Sequence, residues 1–182
     1  MPTDLSQFNN DWYKPGSAVK RGLWYFFNAF YVLNPYNPFG GIRKFVLRLF
    51  GAKIGKGVVI KPRVNVKYPW KLTIGDHSWI GEDVWIDNLG EVKIGSNCCI
   101  SQGALLLCGN HDYKKSTFDL MVGDITLEDG VWIGAKSVVT GGVYCHSHAI
   151  LTAGSVTSTD LEAYKIYRGN PAEFIRDRKM EE

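Results

Sequence analysis

Acidic residues are nearly missing from the first 71 positions of this 182-residue chain, where Asp4 and Asp11 stand against 12 Lys or Arg. That segment carries +10; since the whole chain carries only +3, the remainder is −7. A basic, aromatic front ahead of an acidic body points to an anionic partner near the N-terminus: a lipid surface, a phosphate-bearing substrate, or the acidic part of a neighbouring copy. Cysteine is also scarce. Cys98, Cys99, Cys108 and Cys145 follow no C-x-x-C or zinc spacing, which argues against a zinc module and fits a reducing compartment. The longest apolar run, GLWYFFNAFYVL from Gly22 to Leu33, contains Asn28 and falls far short of the roughly 20 residues that cross a bilayer. The opening residues lack the basic, apolar and small-residue succession of a signal peptide, so a cytoplasmic protein is expected. A P-loop, a G-x-G-x-x-G phosphate cradle and any nucleic-acid module are likewise missing. With 45% hydrophobic and 21% charged residues, one globular unit with a real core is expected.

What the chain does have is a six-residue beat. Ile54, Ile60 and Val66 form a first triplet, Ile74, Ile80 and Ile86 a second, and Ile94, Ile100 and Leu106 a third, each 20 residues after the last. Single hexads resume at Leu127, Ile133, Val139, Cys145 and Leu151, and Gly often follows the apolar residue. Four positions after each apolar residue comes a small or β-branched one, such as Val58, Ser78, Cys98, Val131 or Ala149. A helix needs apolar residues near a period of 3.6, which this spacing does not supply. Short strands on the three faces of a prism do: residues two apart on a strand face the same way, so the small and apolar residues point inward together and the one between them points out. The reading is a triangular parallel β-helix whose coils stack at about 4.8 Å and cannot bury their core singly.

Phase then locates the irregularities. The two-residue insertions after Val66 and Ile86, and the long polar stretch after Leu106 that holds GNHDYKKSTFD, all fall at one corner. Asn88 and Cys108 stack there about one coil apart, with His111 three residues further on. A loop carried on a rigid scaffold is where functional residues are commonly mounted. Outward positions of a second face give the column Trp79, Cys99 and Trp132, a contact surface.

Four stretches, IGDHSWIGEDVWIDN, ISQGALLLCGNHDY, EDGVWIGAKSVV and GNPAEFIRDR, closely resemble the hexapeptide-repeat O-acetyltransferases, in particular the branch that acetylates sugars in the synthesis of colanic acid and other exopolysaccharides. The resemblance covers nearly the whole chain. It implies a left-handed helix, a homotrimer, and acetyl-CoA as the donor, bound in the groove between subunits with no metal required. It further implies a sugar or lipid-linked oligosaccharide acceptor and His111 as catalytic base. For the CoA it points to Trp132 beside the active site, main-chain groups of Ala135 and Ala153 along the groove, and Arg176 near the phosphates, with Arg168 a second cation. Relatives often carry a lysine where this chain has Thr159. A sugar hydroxyl is too weak a nucleophile for a thioester until a base takes its proton, and an imidazole titrates near working pH. The tetrahedral oxyanion then needs a fixed donor, most simply a main-chain N–H of an adjoining coil. Asp112 could orient the ring of His111 or meet the substrate. Asn88 stands where an acceptor must approach, with ordinary turn chemistry as its other reading.

The expected architecture is all-β: an N-terminal helical cap at 1–53, a left-handed β-helix at 54–160 with a catalytic loop at 107–126, and a C-terminal extension at 161–182. Two helices are expected in the cap, SAVKRGLWYFFNAFYVLN and IRKFVLRLF, the second with Ile42, Phe45, Val46 and Leu49 on one face and Arg43, Lys44 and Arg48 mostly elsewhere. Two roles stay open for the segment. As a cap over the first coil, its basic residues support thermal stability; as a contact with an anionic membrane, their neutralisation weakens vesicle binding. Two other functions also stay open. A carbonic-anhydrase-like metalloenzyme is disfavoured, because His77, His111, His146 and His148 lack the H-x-x-x-x-H spacing of those trimers and His146 with His148 would chelate only weakly. A non-catalytic structural or binding solenoid would make the histidine loop superfluous.

Overall fold

Ile54, Ile74, Ile94, Leu127 and Cys145 come into register on the first face of a prism. Ile60, Ile80, Ile100, Ile133 and Leu151 do so on the second, and Val66, Ile86, Leu106, Val139 and Thr157 on the third. The hexad series is therefore the inner lining of a left-handed parallel β-helix of about six turns. The computed structural model describes residues 2–181. Except for Ile54, every residue of these columns is buried, and so are the small residues two positions before them. Buried serines among the latter are satisfied: Ser78 Oγ donates to Gly95 O at 2.7 Å and accepts from Cys98 N–H at 3.0 Å.

The corners explain the glycines. A Cβ on Gly95 would lie 2.5 Å from Asp129 Oδ1, the atom that accepts the Ser96 N–H at 2.7 Å, so the missing side chain lets one coil hydrogen-bond to the next. Three positions after each lining residue of the first and second faces the backbone turns left-handed. Arg63, His77, Asp83, Asn97, Lys136 and His148 adopt φ of 56 to 60° there, and glycine occupies other corners. Gly57 and Gly130 are glycine for a second reason: a Cβ would meet Nδ1 of His77 or His148, stacked on them from the next coil, at 2.3 and 2.1 Å.

Helix α1 (Ala18–Phe27), N-capped by Ser17 Oγ accepting the Lys20 N–H, continues into a wider π-helical turn over Asn28–Val32. Helix α2 (Gly40–Leu49) follows. Both lie over the first coil, and the coil's backbone explains how. Along these parallel strands successive residues face opposite neighbours: Val59 and Lys61 donate their N–H groups to carbonyls of the second coil, so the carbonyls of residues such as Val58 and Ile60 face away from the stack with no strand to serve them. Side chains of the cap serve them instead. Arg48 donates to Ile54 O and Gly55 O, Lys44 to Val58 O, Arg43 to Ile60 O and Trp24 Nε1 to Val66 O, at 2.8 to 3.1 Å. A strand edge left bare would template aggregation, and buried carbonyls left bare would each cost about 1–3 kcal/mol.

This corrects the face expected for α2. Val46 is inward, but its buried companions are Arg43 and Leu47, while Ile42, Phe45 and Leu49 are exposed. Apolar periodicity marks a core face when the core is apolar; here the surface to be covered is a row of carbonyls, and donors win it. On α1 and the turn after it, Trp24 and Asn28 are buried, while Val19, Leu23, Phe26 and Phe30 form a stripe on the opposite, exposed side. Among the described residues no helix is long and apolar enough to cross a membrane.

The solenoid also runs past residue 160. Leu161 is buried and bridges Cys145 in parallel, and Lys165–Gly169 adds to the second face beside Ile150–Leu151. It then turns through Gly169–Ala172 into an antiparallel partner, Ala172–Asp177. The extension expected at 161–182 is thus partly a last coil.

Candidate active site

The long loop leaves the corner between the third and first faces. Its neck is closed by Gly123 N–H donating to Cys108 O at 2.9 Å and by Cys108 N–H donating to Asp87 O at 3.2 Å. Beyond the neck, Gly109–His111 and Leu120–Val122 pair antiparallel, a hairpin standing off the prism. Across its tip Asp112 N–H donates to Asp119 O, and Lys115 Nζ meets Asp119 Oδ2 at 2.8 Å, holding that carboxyl below its usual range.

His111 ends the first hairpin strand, half-buried. Its Nδ1 lies 2.9 Å from Phe118 O, and its ring stacks on that of Phe118 at 4.4 Å and 8°. A carbonyl oxygen can only accept, so Nδ1 carries the hydrogen and Nε2 keeps the lone pair. Phe118 holds φ at 53°, a left-handed conformation rare for a bulky side chain, and such conformations concentrate at functional sites. Phe8 also packs near the ring, centroids 5.7 Å apart and tilted by 56°, and Asp4 N–H donates to Ser116 O. The sequence reading missed Phe118 and Phe8. The first lies within GNHDYKKSTFD but its residue type gives no sign of its backbone; the second has no signal at all.

Asp112 does not orient the ring. Its Oδ1 accepts the Lys114 N–H in a local turn, because adjacent side chains on an extended strand diverge. Asn88 is fully buried, and its carboxamide accepts the Tyr68 N–H at 2.9 Å while donating to Tyr68 O at 2.6 Å. That is turn chemistry tying one coil to the next, not a group free for an acceptor. Cys108, stacked on Asn88 as expected, is buried, and burial pushes its thiol up to about 11.

Trp132 lies in the outward column of the second face, in register with Trp79 and Cys99, and its Nε1 donates to Ser101 Oγ at 2.9 Å. With Arg176, Ile150, Ile166, Phe174 and Lys179 it borders an open groove of about 840 Å³. Ala135 and Ala153 sit in turns between the second and third faces, where Ala135 O accepts the Gly154 N–H; Arg168 is exposed near the terminal hairpin turn. The expected residues thus fall into two groups. His111, Asp112 and Asn88 belong to the corner opposite the second face; Trp132, Ala135, Ala153, Arg168 and Arg176 belong to that face and its border. Within one chain Trp132 is not beside His111.

The remaining histidines have structural partners. His148 stacks on Tyr164 at 4.7 Å over Gly130, and His146 Nδ1 faces Glu128 Oε1 at 3.7 Å. Among the described residues no three His, Cys, Asp or Glu side chains gather as a metal ion would need.

No protein-family model matches the chain. Over 177 residues it is 40% identical to the Escherichia coli K12 protein named as the colanic acid biosynthesis acetyltransferase WcaF, covering 96% of this chain and 97% of that protein. Its fold matches that of a Vibrio cholerae hexapeptide-repeat acetyltransferase crystallised with acetyl-CoA, at a TM-score of 0.78 and 21% identity, covering 92% of this chain and 93% of that one. It also matches a galactoside acetyltransferase in complex with coenzyme A, at 0.75 and 21%, covering 88% and 82%. The stacked hexads, the histidine hairpin at a corner and this near full-length likeness agree: the chain belongs to the hexapeptide-repeat acetyltransferases of the colanic acid biosynthesis type.

Proposed function

We propose that this acyltransferase carries the acetyl group of acetyl-CoA to a sugar hydroxyl in exopolysaccharide synthesis, with His111 as general base. The observation that carries the reading is the Nδ1 contact of His111 with Phe118 O, which leaves Nε2 as a fixed acceptor for a proton. As the hydroxyl oxygen attacks the thioester carbon, Nε2 takes its proton and the new C–O bond forms. The tetrahedral oxyanion collapses, the C–S bond breaks, and the imidazolium returns the proton to the CoA thiolate. A main-chain N–H of an adjoining coil is assigned to the oxyanion, and Asp112 Oδ2 to an acceptor hydroxyl.

The groove bordered by Trp132 and Arg176 suits the donor: its volume and mixed lining accept the pantetheine arm against the indole, with Arg176 and Lys179 toward the phosphates; Arg168, outside the groove's lining, is assigned as a further cation, and main-chain groups of Ala135 and Ala153 lie along the neighbouring corner. Because His111 leaves the prism opposite this groove, the complete site takes its base from one copy and its groove from the next. Such head-to-tail contacts close on themselves in a homotrimer.

Thiol release from acetyl-CoA in the presence of lipid-linked and nucleotide sugars tests the activity. In that assay Trp132→Ala is expected to raise the KM for acetyl-CoA roughly tenfold, since an indole on a flat exposed face has little core role. Coexpressed Trp132→Ala and His111→Ala subunits should recover wild-type acetyl-CoA dependence at their mixed interfaces. An unchanged KM counts against the groove, and failure to complement counts against the shared site.

A peripheral membrane contact on the cytoplasmic side is supported by a different observation. The stripes Val19, Leu23, Phe26, Phe30 and Ile42, Phe45, Leu49 are exposed on the outer side of the cap, and no acidic residue occurs between Trp12 and Gly75. Apolar, aromatic faces set in positive charge suit an anionic bilayer surface. Sedimentation with anionic vesicles should show binding that falls at physiological salt and is mostly lost in Phe26→Ser/Phe30→Ser/Phe45→Ser, with the trimer intact. No sedimentation even at low salt removes this contact.

A further inference from the structure

Between the cap and the third face lies a second cavity, of about 440 Å³, unconnected with the groove of Trp132. Arg21, Tyr25 and Asn28 line it from the cap; Lys67, Trp85 and Asp87 line it from the first two coils. Its floor is polar and unfinished. Asn28 and Asp87 are 8% and 7% exposed, and Asn28 Oδ1 has no hydrogen-bond partner. The Asn28 amide nitrogen donates to Asn65 Oδ1 at 2.9 Å, so its oxygen is the atom left over. Beside it Lys67 Nζ stands 2.8 Å from Asp87 Oδ1, an ion pair at the cavity's edge. A buried acceptor without a donor is costly and uncommon, so Asn28 Oδ1, open to a cavity whose lining also holds the Lys67–Asp87 pair, points to a hydroxyl-bearing ligand that completes it. The walls agree: Trp85 and Tyr25 are 47% and 71% exposed, and flat rings beside polar atoms match a sugar ring, with C–H groups on one face and hydroxyls at its edge. At the rim, Arg21 is exposed and Lys67 half-exposed.

We infer that this cavity binds a non-reacting saccharide unit of the acceptor, one that bears an anionic substituent met by Arg21 and Lys67. The inference rests on the proposed sugar acetylation and names its substrate class more closely. Asp87 pairs in register with Leu107, four residues before His111; four extended residues span about 13 Å. An oligosaccharide seated in the cavity therefore reaches the base with another of its sugars, and binding energy remote from the reacting hydroxyl serves turnover there.

The anionic group could be a uronate carboxylate or a phosphate joining the sugar to a carrier. Calorimetric titration with three probes separates these: a glucuronyl disaccharide, its neutral carboxyl-reduced counterpart, and glucose 1-phosphate. At least one anionic probe should bind about tenfold more tightly than the neutral disaccharide, and whichever binds identifies the substituent. Trp85→Ala should weaken that binding about tenfold, and Arg21→Gln should abolish the preference over the neutral sugar, while His111→Ala binds as the wild type does. Failure of both anionic probes to bind, equal binding of the neutral disaccharide, or indifference to both cavity variants overturns the inference. Acetyl transfer to sugars that persists alongside such a failure leaves the proposed function standing; probe binding without any acetyl transfer does the reverse.

Discussion

Replacing His111 by Ala is expected to lower the rate of acetyl transfer by roughly two to four orders of magnitude and to leave acetyl-CoA binding nearly intact. The size follows from losing proton transfer at the attack step, while the groove of Trp132 and Arg176, on the opposite side of the prism, is untouched. Folding should be spared, because the imidazole is half-buried on a hairpin that stands off the core and its one polar contact is to a backbone carbonyl. A second substitution separates base from bystander. His111→Asn cannot accept a proton productively, so it should be as slow as the alanine variant; Michaelis constants for acetyl-CoA should move little in either. Near-native turnover in both would remove His111 from the chemistry and return the loop to a binding role.

The largest effect on stability is expected at Arg43. Only 3% exposed, its Nε donates to Ile60 O at 3.0 Å and its Nη1 to Asn37 O at 2.5 Å. Burial pulls its pKa below the ordinary range, yet an arginine remains charged and so demands these acceptors. Arg43→Met keeps much of the stem but leaves both carbonyls without donors. A loss on the order of 3 kcal/mol follows, equivalent to a fall in Tm of roughly 6–12 °C for a chain of this size. Differential scanning calorimetry checks it, with Phe45→Ser, at an exposed position of the same helix, as the control that should scarcely move. An unchanged Tm in Arg43→Met would mean that the first coil needs no side-chain donors.

The contrast between Arg43 and the hexads shows what the sequence could reveal. The columns through Ile60, Ile86 and Leu127 were readable because an apolar residue every sixth position has one physical meaning, burial on one side of a short strand, and each coil repeats the test. The corner carrying His111 was readable because a break in a strict period is itself a signal. Arg43 was misread because its role depends on carbonyls that belong to no pattern of side chains. Likewise Phe118, which holds the imidazole through its backbone, and Asn88, whose carboxamide is consumed by Tyr68, depend on main-chain geometry that residue type alone does not encode. The left-handed corners at Arg63, His77 and Lys136 were hidden for the same reason: glycine announces such a backbone, whereas arginine, histidine and lysine do not.

Beyond the loop, successive coils repeat every 18 residues, as Leu127 and Cys145 do in their register. Such a stack has a quantised length. Deleting one residue between Val131 and Val139 would swap inside for outside in every strand that follows. Deleting the 18-residue block from Glu128 to Cys145 would remove a storey and leave the alternation above it intact. The corner bearing the hairpin obeys no such rule, because residues inserted there never enter the count. Height and corner are therefore separately adjustable in this architecture: storeys set the length of each prism face, while the hairpin at the corner can be rebuilt with the framework unchanged.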